Sequence, residues 1–332
     1  MKKVTIQNIA EELNISRNTV TKAFSNQSVS RETRIAVLKK AYQLGYSKLT
    51  EDMLEEIKNS SECTKTMLVI MKCSSSDFWK EILVGIGNTL NEKNYRMQCH
   101  FVLDEEDDIS VSPDVSGFIM LNVFSEGFVK KISEKKLPII FFDSPVNPHK
   151  CFAYGDIVLV EGWNAVYRLT SELIKQGKKK IGFIGDTSYS RMIYERYQGF
   201  VGAMVDNGIE LDKNIIINSH VPNQYYDYRE VQNAIVNLDA IPEAFVCSND
   251  DIARSVIMTL EEMGISVPED VLVTGFDNNL GHNNIDKKIK TVDVRKMEVG
   301  KRIAKEILYR IDNSDMDFAI ITVATYVIGG NT

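Results

Sequence analysis

The chain has 332 residues, 44% of them hydrophobic and 26% charged, the make-up of globular protein with room for about two domains. No apolar run approaches the about 20 residues that a bilayer-spanning helix requires. The N-terminal stretch from Met1 to Thr5 leads directly into an amphipathic pattern without a signal-peptide core, so a cytoplasmic protein without membrane contact is expected. Five scattered cysteines (Cys63, Cys73, Cys99, Cys151, Cys247) form no C-x-x-C pair, and four histidines (His100, His149, His220, His282) are equally dispersed. That distribution argues against a disulfide framework and a metal site, and no cofactor is expected. The net charge of −7 is uneven: residues 1–50 carry +6, which leaves −13 on the remainder. A small basic head on an acidic body is the asymmetry of a module that touches phosphates.

The first fifty residues read as three short helices. Thr5 caps a helix from Ile6 to Leu13 with Ile6, Ile9, Ala10 and Leu13 on one face. Asn14-Ile15 is a tight turn, and Ser16 caps a second helix over Arg17 to Phe24 that buries Val20, Ala23 and Phe24. Ser30 caps a third helix running to Leu44, burying Ile35, Leu38, Ala41 and Tyr42, with Gly45 just past its end. Residues 49–65 are acidic and then Ser-rich, a linker with at most a weak helix from Glu51 to Lys58. From Thr66 onward short apolar strands alternate with helices: strands at Met67–Met71, Tyr95–Phe101, Gly117–Leu121, Leu137–Phe142, Lys180–Ile184, Ile215–Ile217, Ala244–Cys247 and Val271–Thr274. The intervening helices are read at Trp79–Leu90, Val129–Ser133, Asn164–Lys175, Arg196–Asn207, Tyr228–Leu238, Ile252–Met263 and Lys296–Ile311. Such alternation means parallel sheets covered by helices, and about 265 residues fit two sheets better than one.

Two helices joined by a tight turn, the second with a polar outer face, follow the helix-turn-helix plan. Arg17, Asn18, Thr21 and Lys22 on that face suit base edges, because Arg or Lys pairs with guanine and Asn with adenine. Ser16, Thr19 and Ser28 suit phosphate oxygens. Thr5, Asn26, Arg31 and Arg34 complete the expected DNA-contacting set.

The run Thr5-Ile6-x-x-Ile9-Ala10-x-x-Leu13-x-Ile15-Ser16-x-x-Thr19-Val20-x-Lys22-Ala23-Phe24-x-Asn26, followed by Val29-Ser30-x-x-Thr33-Arg34-x-x-Val37 and Leu44-Gly45-Tyr46, resembles the head of the lactose-repressor/galactose-repressor family. Leu137 to Asp143, Lys180 to Gly185, Glu195-Arg196-x-x-Gly199-Phe200, Asn249-Asp250-x-x-Ala253, Gly264 to Val271 and Gly275-Phe276-Asp277-Asn278 extend the resemblance over nearly the whole chain. It implies an all-α helix-turn-helix head over 1–48 and a linker over 49–65. The body over 66–332 is then an α/β fold of two Rossmann-like lobes, built like the periplasmic binding proteins. The N-lobe is expected at about 66–160 and 291–318, the C-lobe at about 161–290 and 319–332. A ligand, a sugar by family analogy, would sit between the lobes at the strand ends. The matched positions imply hydrogen bonds from Arg196, Asn249 and Asp277, with Asp143 as a fourth. Phe78 and Trp79 would supply an aromatic face, and Tyr225 (or its neighbour Tyr226) another. A palindromic double-stranded operator and a homodimer are further implications.

The resemblance breaks at the linker. The family follows Gly-Tyr with Pro-Asn and a small hinge helix that places a leucine in the minor groove. Here Ser47, Lys48, Leu49 and Thr50 follow Tyr46, and the key hinge positions carry Asp52, Met53 and Glu55. Carboxylates facing phosphates are unfavourable, so DNA binding by the heads alone, or through a rearranged linker, is expected. Against a DNA-binding regulator stand two other classes. A ligand-binding protein without a DNA role does not account for the basic head. An enzyme would need a phosphate-binding loop, a nucleophile elbow or clustered His and Cys, none of which is found.

Overall fold

A computed structural model describes residues 4–25, 29–58, 65–72, 76–102, 109–122, 125–145, 153–279, 281 and 284–328. The head contains α1 (Ile6–Glu12), α2 (Arg17–Phe24) and α3 (Arg31–Gln43), and is followed by α4 (Glu51–Lys58). Each of the first three starts at the side chain foreseen for it: Thr5, Ser16 and Ser30 accept the backbone N–H of Asn8, Thr19 and Thr33. Asn14 sits at φ 53°, a left-handed conformation that Asn tolerates and that turns the chain sharply from α1 into α2. Ile9, Ala10, Val20, Ala23, Val37 and Ala41 form the head's own small core, and Phe24 stacks on Tyr46 at 5.1 Å.

The body has two sheets. The first is assembled from β1 (Lys65–Lys72), β2 (Tyr95–Val102), β3 (Val115–Leu121), β4 (Ile139–Phe142), β5 (Asp156–Val160) and β11 (Ile320–Val323), in the order β11-β5-β4-β3-β1-β2. All its neighbours are parallel. Helices α5 (Phe78–Glu92), α6 (Glu126–Ser133) and α11 (Lys296–Asp312) belong to this lobe. β1 is buried from Thr66 to Met71, because a parallel strand covered on both faces has no wet side. Helices α5 and α11 cross at two glycines: a Cβ on Gly85 would lie 2.2 Å from the Met297 carbonyl oxygen, and one on Gly300 would lie 2.2 Å from that of Ile82.

The second sheet is built from β6 (Ile181–Ile184), β7 (Ile216–Ile217), β8 (Ala244–Cys247), β9 (Leu272–Thr274), β10 (Ile289–Asp293) and β12 (Tyr326–Ile328), in the order β12-β10-β9-β8-β6-β7. It is parallel except for the antiparallel pair β10–β12. Helices α7 (Trp163–Lys175), α8 (Arg191–Asp206), α9 (Tyr228–Val236) and α10 (Asp250–Glu262) belong to it.

Two boundaries of the lobes differ from the expectation. β10 pairs through Asp293 in the second sheet, although residues from 291 were assigned to the N-lobe. β11 completes the first sheet beside β5, although 319 onward was assigned to the C-lobe. The third crossing therefore falls between Val323 and Tyr326. Its short, half-exposed strands lack the long apolar runs that marked the others.

The three crossings lie side by side and are tied to one another. Glu161 donates its backbone N–H to the Val323 carbonyl at 2.8 Å, and Thr325 Oγ1 donates to the Glu161 carbonyl at 3.0 Å. The Arg295 guanidinium lies 4.1 Å from the Tyr326 ring centroid, a cation–π contact. Beneath them Arg310 on α11 meets Asp156 on β5 in a bidentate pair at 2.7 and 2.8 Å, both residues about 5% exposed or less.

Candidate functional site

The first region of interest is the head. Arg17, Asn18, Thr21 and Lys22 lie exposed on α2. Among the described residues, the side chains of Arg17, Asn18 and Lys22 have no hydrogen-bond or ion-pair partner, so they stand free for an external one. Ser16 and Thr19, expected at phosphates, Thr21, expected at base edges, and Thr5 of the wider DNA-contacting set have their hydroxyls engaged within the head. Thr5 Oγ1 donates to Asn8 Oδ1 at 2.7 Å, Ser16 Oγ lies 2.8 Å from Thr19 Oγ1, and Thr21 Oγ1 donates to the Arg17 carbonyl at 3.0 Å. What they present outward is a helix N-terminus with its partial positive charge. Asn26 and Ser28 lie outside the described residues. Arg31 is exposed.

Arg34 is a correction. It is only 8% exposed, and its Nε and Nη2 hold Glu56 of α4 at 2.7 Å each, while Nη1 donates to the Ala23 carbonyl at the end of α2. A guanidinium so engaged clamps three helices together rather than meeting a phosphate. The hydrogen bonds from Arg34 also hold the Glu56 carboxyl below the usual carboxylate range. α4 is therefore more than a weak linker helix. Thr50 accepts from Met53 N at its start, Ile57 is 1% exposed, and Glu51, Asp52 and Glu55 face solvent.

The second region is a cleft of about 680 Å³ between the lobes. It opens at the carboxyl ends of the strands, where open α/β sheets leave a crevice. From the first lobe, Phe78 and Trp79 come at the start of α5, Asn122 follows β3 and Asp143 follows β4. From the second, Tyr189, Met192 and Arg196 come from the start of α8, Tyr226 from the loop before α9, Asp251 and Arg254 from α10, and Asp277 and Asn279 follow β9. Phe78, Trp79, Asp143, Arg196 and Asp277 thus meet on one surface.

The aromatic wall is rigid. Phe78 and Trp79 meet edge to face at 5.1 Å, and both contact Phe142. Arg196 is 4% exposed, donates Nη1 to the Ser248 carbonyl at 2.6 Å and Nη2 to Asp277 Oδ1 at 3.2 Å, and lies 3.7 Å from the Phe276 ring centroid. Its Nε has no hydrogen-bond acceptor among the described residues. Asp277 sits at φ 102°, and burial pushes its carboxyl up while Arg196 pulls it down. Behind it Asp250 is fully buried and accepts Thr291 Oγ1 at 2.6 Å and Asn279 N at 2.7 Å, fixing the loop after β9; burial raises its carboxyl to about 7. Gly275 is needed there, since a Cβ would fall 2.1 Å from Asp250 Oδ1.

Asp143, at φ 69°, spans the lobes: its Oδ1 accepts Ser144 N at 2.7 Å and Met192 N of α8 at 3.2 Å. Burial raises its carboxyl to about 6, against the lowering effect of those hydrogen bonds and of Arg196. Two more bonds cross the cleft, from Ser76 Oγ to Asp251 Oδ2 at 2.8 Å and from Tyr189 OH to Asn122 Oδ1 at 2.9 Å.

Two expected contacts are corrected. Tyr225 is 2% exposed, and its OH lies 3.2 Å from Ser219 Oγ inside the lobe; Tyr226, half exposed, is the residue that lines the cleft. Asn249 is 3% exposed and stands behind the wall: its Oδ1 caps α10 through Ile252 N at 2.9 Å, and its Nδ2 donates to Tyr226 OH at 3.1 Å. It positions the tyrosine that lines the cleft. Tyr189, Asp251 and Arg254 were missed. Asp251 takes an unspecified position of the Asn249-Asp250-x-x-Ala253 motif, Arg254 follows its last residue, and Tyr189 lies six residues before Glu195, so no spacing rule marks them.

The fold and the cleft define a two-lobed binding protein that carries a helix-turn-helix head. Residues 170–332 match the model of the periplasmic binding protein-like domain. The NTD biosynthesis operon regulator NtdR of Bacillus subtilis is 26% identical over 98% of each chain. The HTH-type transcriptional repressor PurR of Glaesserella parasuis is 26% identical over 92% of this chain and 90% of its own. Two solved structures align over 98% of both chains: the regulator CelR in complex with cellobiose, at 18% identity and TM-score 0.67, and the lac repressor dimer bound to operator, at 16% and 0.65. Over nearly its whole length the chain is thus similar to transcriptional regulators, and its fold is that of the lactose-repressor/galactose-repressor (LacI/GalR) structures.

Proposed function

We propose that this protein is a cytoplasmic, sequence-specific DNA-binding repressor whose operator affinity is set by a sugar held between its lobes. The observation that carries the reading is the pairing of two features on one chain. One is a capped helix α2 with Arg17, Asn18 and Lys22 free and exposed; the other is a polar, aromatic-walled cleft at the strand ends. Division of the chain follows: a head over 1–48 meets DNA, α4 braces it, and the body from 66 senses the ligand and pairs two copies on a palindrome. In the cleft, Trp79 and Tyr226 provide faces for a sugar ring, and Asp143, Arg196 and Asp277 hold its hydroxyls. Buried polar groups of this kind discriminate strongly because an unmatched ligand leaves them unpaired. A ligand that favours one arrangement of the lobes shifts the spacing of the two heads, hence DNA affinity. The same reading takes it as a binding protein without turnover.

The test is selection of genomic fragments of the source organism by purified full-length protein, with and without added sugars. Enrichment of a short palindrome, altered in yield by a particular sugar, is the expected result. Recovery of fragments without a common motif would overturn the reading.

A further inference from the structure

Lys296 is the first residue of α11, just past β10 and the crossing into the first lobe. A cation at that place meets the positive end of the helix dipole, and a buried ammonium is costly unless it is paired. The Lys296 side chain is nonetheless only 5% exposed. Its partners account for it. Nζ donates to the carbonyls of Asn278 at 2.7 Å and Asp277 at 3.3 Å, and it lies 3.3 Å from Glu81 Oε1 of α5. Three partners match the three donors of an ammonium group.

The two carbonyls belong to the loop after β9, where successive non-glycine residues are left-handed, Asp277 at φ 102° and Asn278 at φ 49°. Such backbone persists only where its surroundings impose it. The second lobe supplies acceptors for the loop's N–H groups: Asp277 N donates to the Val292 carbonyl at 2.9 Å, and Asn279 N to Asp250 Oδ2 at 2.7 Å. The donor for the carbonyls is Lys296, which the first lobe supplies. The loop is thus held from both lobes. It carries Asp277 to Arg196 on the cleft wall, and Asn279 to Asp251 Oδ1 at 3.2 Å and Ser76 Oγ at 3.4 Å. Lys296 itself stands behind that wall, outside the described residues that line the cleft.

We infer that Lys296 is a positioning residue of the cleft: it fixes the left-handed pair Asp277–Asn278 by their carbonyls and so sets where the Asp277 carboxylate stands on the wall. The inference rests on the reading of the cleft as a sugar site. Without the ammonium, two carbonyls lose their donor, the left-handed pair relaxes and Asp277 withdraws from Arg196. The charges agree with this placement: burial raises the Asp277 carboxyl, and Arg196 and then Lys296 lower it.

The experiment compares the full-length wild type with Lys296→Met, which keeps the apolar stem and removes the donors, and Lys296→Arg, which keeps charge and donors. Amide hydrogen exchange is read over residues 277–279, with β1 and β8 as references for the fold. Calorimetric titration reads the affinity for ribose, glucose, galactose and cellobiose. Lys296→Met is expected to speed exchange in the loop about tenfold or more, as a lost hydrogen bond to a charged group opens a segment locally, while β1 and β8 exchange as in the wild type. Affinity for the sugar that the wild type binds should fall about tenfold or more, and Lys296→Arg should restore most of both losses. Glu81→Gln, at a half-exposed position, should move both readouts the same way by less, and it carries the comparison if Lys296→Met does not fold. Faster exchange with unchanged sugar affinity makes Lys296 a cap of the loop alone and overturns the inference, as does unchanged exchange. If the wild type binds none of these sugars, the sugar reading falls by itself. A crystal structure of Lys296→Met then decides the inference: Asp277 withdrawn from Arg196 supports it, and Asp277 still bonded to Arg196 overturns it.

Discussion

At the residue scale, the most informative side chains are those whose environment contradicts their residue type. Arg34 belongs to a motif that reads as DNA-contacting, yet it is buried against Glu56 and the Ala23 carbonyl. Arg34→Met should lower the stability of the head by about 1–3 kcal/mol, the worth of hydrogen bonds to a charged group. The slope of log affinity for DNA against log salt should not change. Arg17→Ala or Lys22→Ala should leave stability within about 0.5 kcal/mol, as for exposed positions generally. Those that meet a phosphate should each reduce the slope by about 1. Thermal melts and a salt titration of operator binding separate the two behaviours.

Asp143 is the second such residue. Its carboxyl titrates at about 6 in the folded protein against about 3.9 in an unfolded chain, so the folded state holds the proton more tightly. Its contribution is complete below about pH 4 and is lost as the pH rises toward 6, at most about 2–3 kcal/mol. Asp143→Asn carries no such loss. Without ligand, the variant should gain on the wild type between pH 4 and 6 and keep a constant lead above that. A difference that does not depend on pH would contradict the burial argument.

At the element scale, the sequence read well wherever a helix or strand buries one face or both. The head's caps, its turn at Asn14 and most strands of the body were visible as Ser/Thr starts and apolar runs. β5, β10, β11 and β12 were not foreseen. β5 is a fully buried run, but Asp156 opens it, and that charge makes sense only through Arg310, about 150 residues away in sequence. β11 and β12 are short and half exposed, and their place is set by the sheet edges they cover. The same reason explains the site. Asp143, Arg196 and Asp277 stood in recognisable motifs, whereas Tyr226 against Tyr225 is decided by the left-handed backbone at Gln224 and Tyr225, φ 50° and 67°, which no periodicity shows. α4 carries its own lesson: acidic residues at hinge positions make sense once Glu56 is seen to grip Arg34 and Ile57 to be buried. The helix is thereby a brace of the head, and its exposed Glu51, Asp52 and Glu55 disfavour a place in the minor groove.

At the scale of the whole molecule, the chain crosses between the lobes near 161, 294 and 324, and the Asp156–Arg310 pair fastens α11 to β5 close to these crossings. Both charges are almost completely buried, so removing one leaves the other uncompensated. Arg310→Met should cost about 3–5 kcal/mol, read as a fall in the midpoint of denaturant unfolding. A loss under about 1 kcal/mol would show that the pair matters little. Head and cleft are meaningful only together, because a ligand can act on DNA only through its preference for one lobe arrangement.

The most direct test of that claim is the affinity of the full-length protein for the palindrome recovered by selection, compared with a scrambled duplex, across a salt series and with the cleft filled or empty. The account predicts a preference for the palindrome of about a thousandfold or more, a linear fall of log affinity with log salt, and a shift on filling the cleft of about 5–150-fold. Equal affinity for both duplexes, or no response to an occupied cleft, would contradict it.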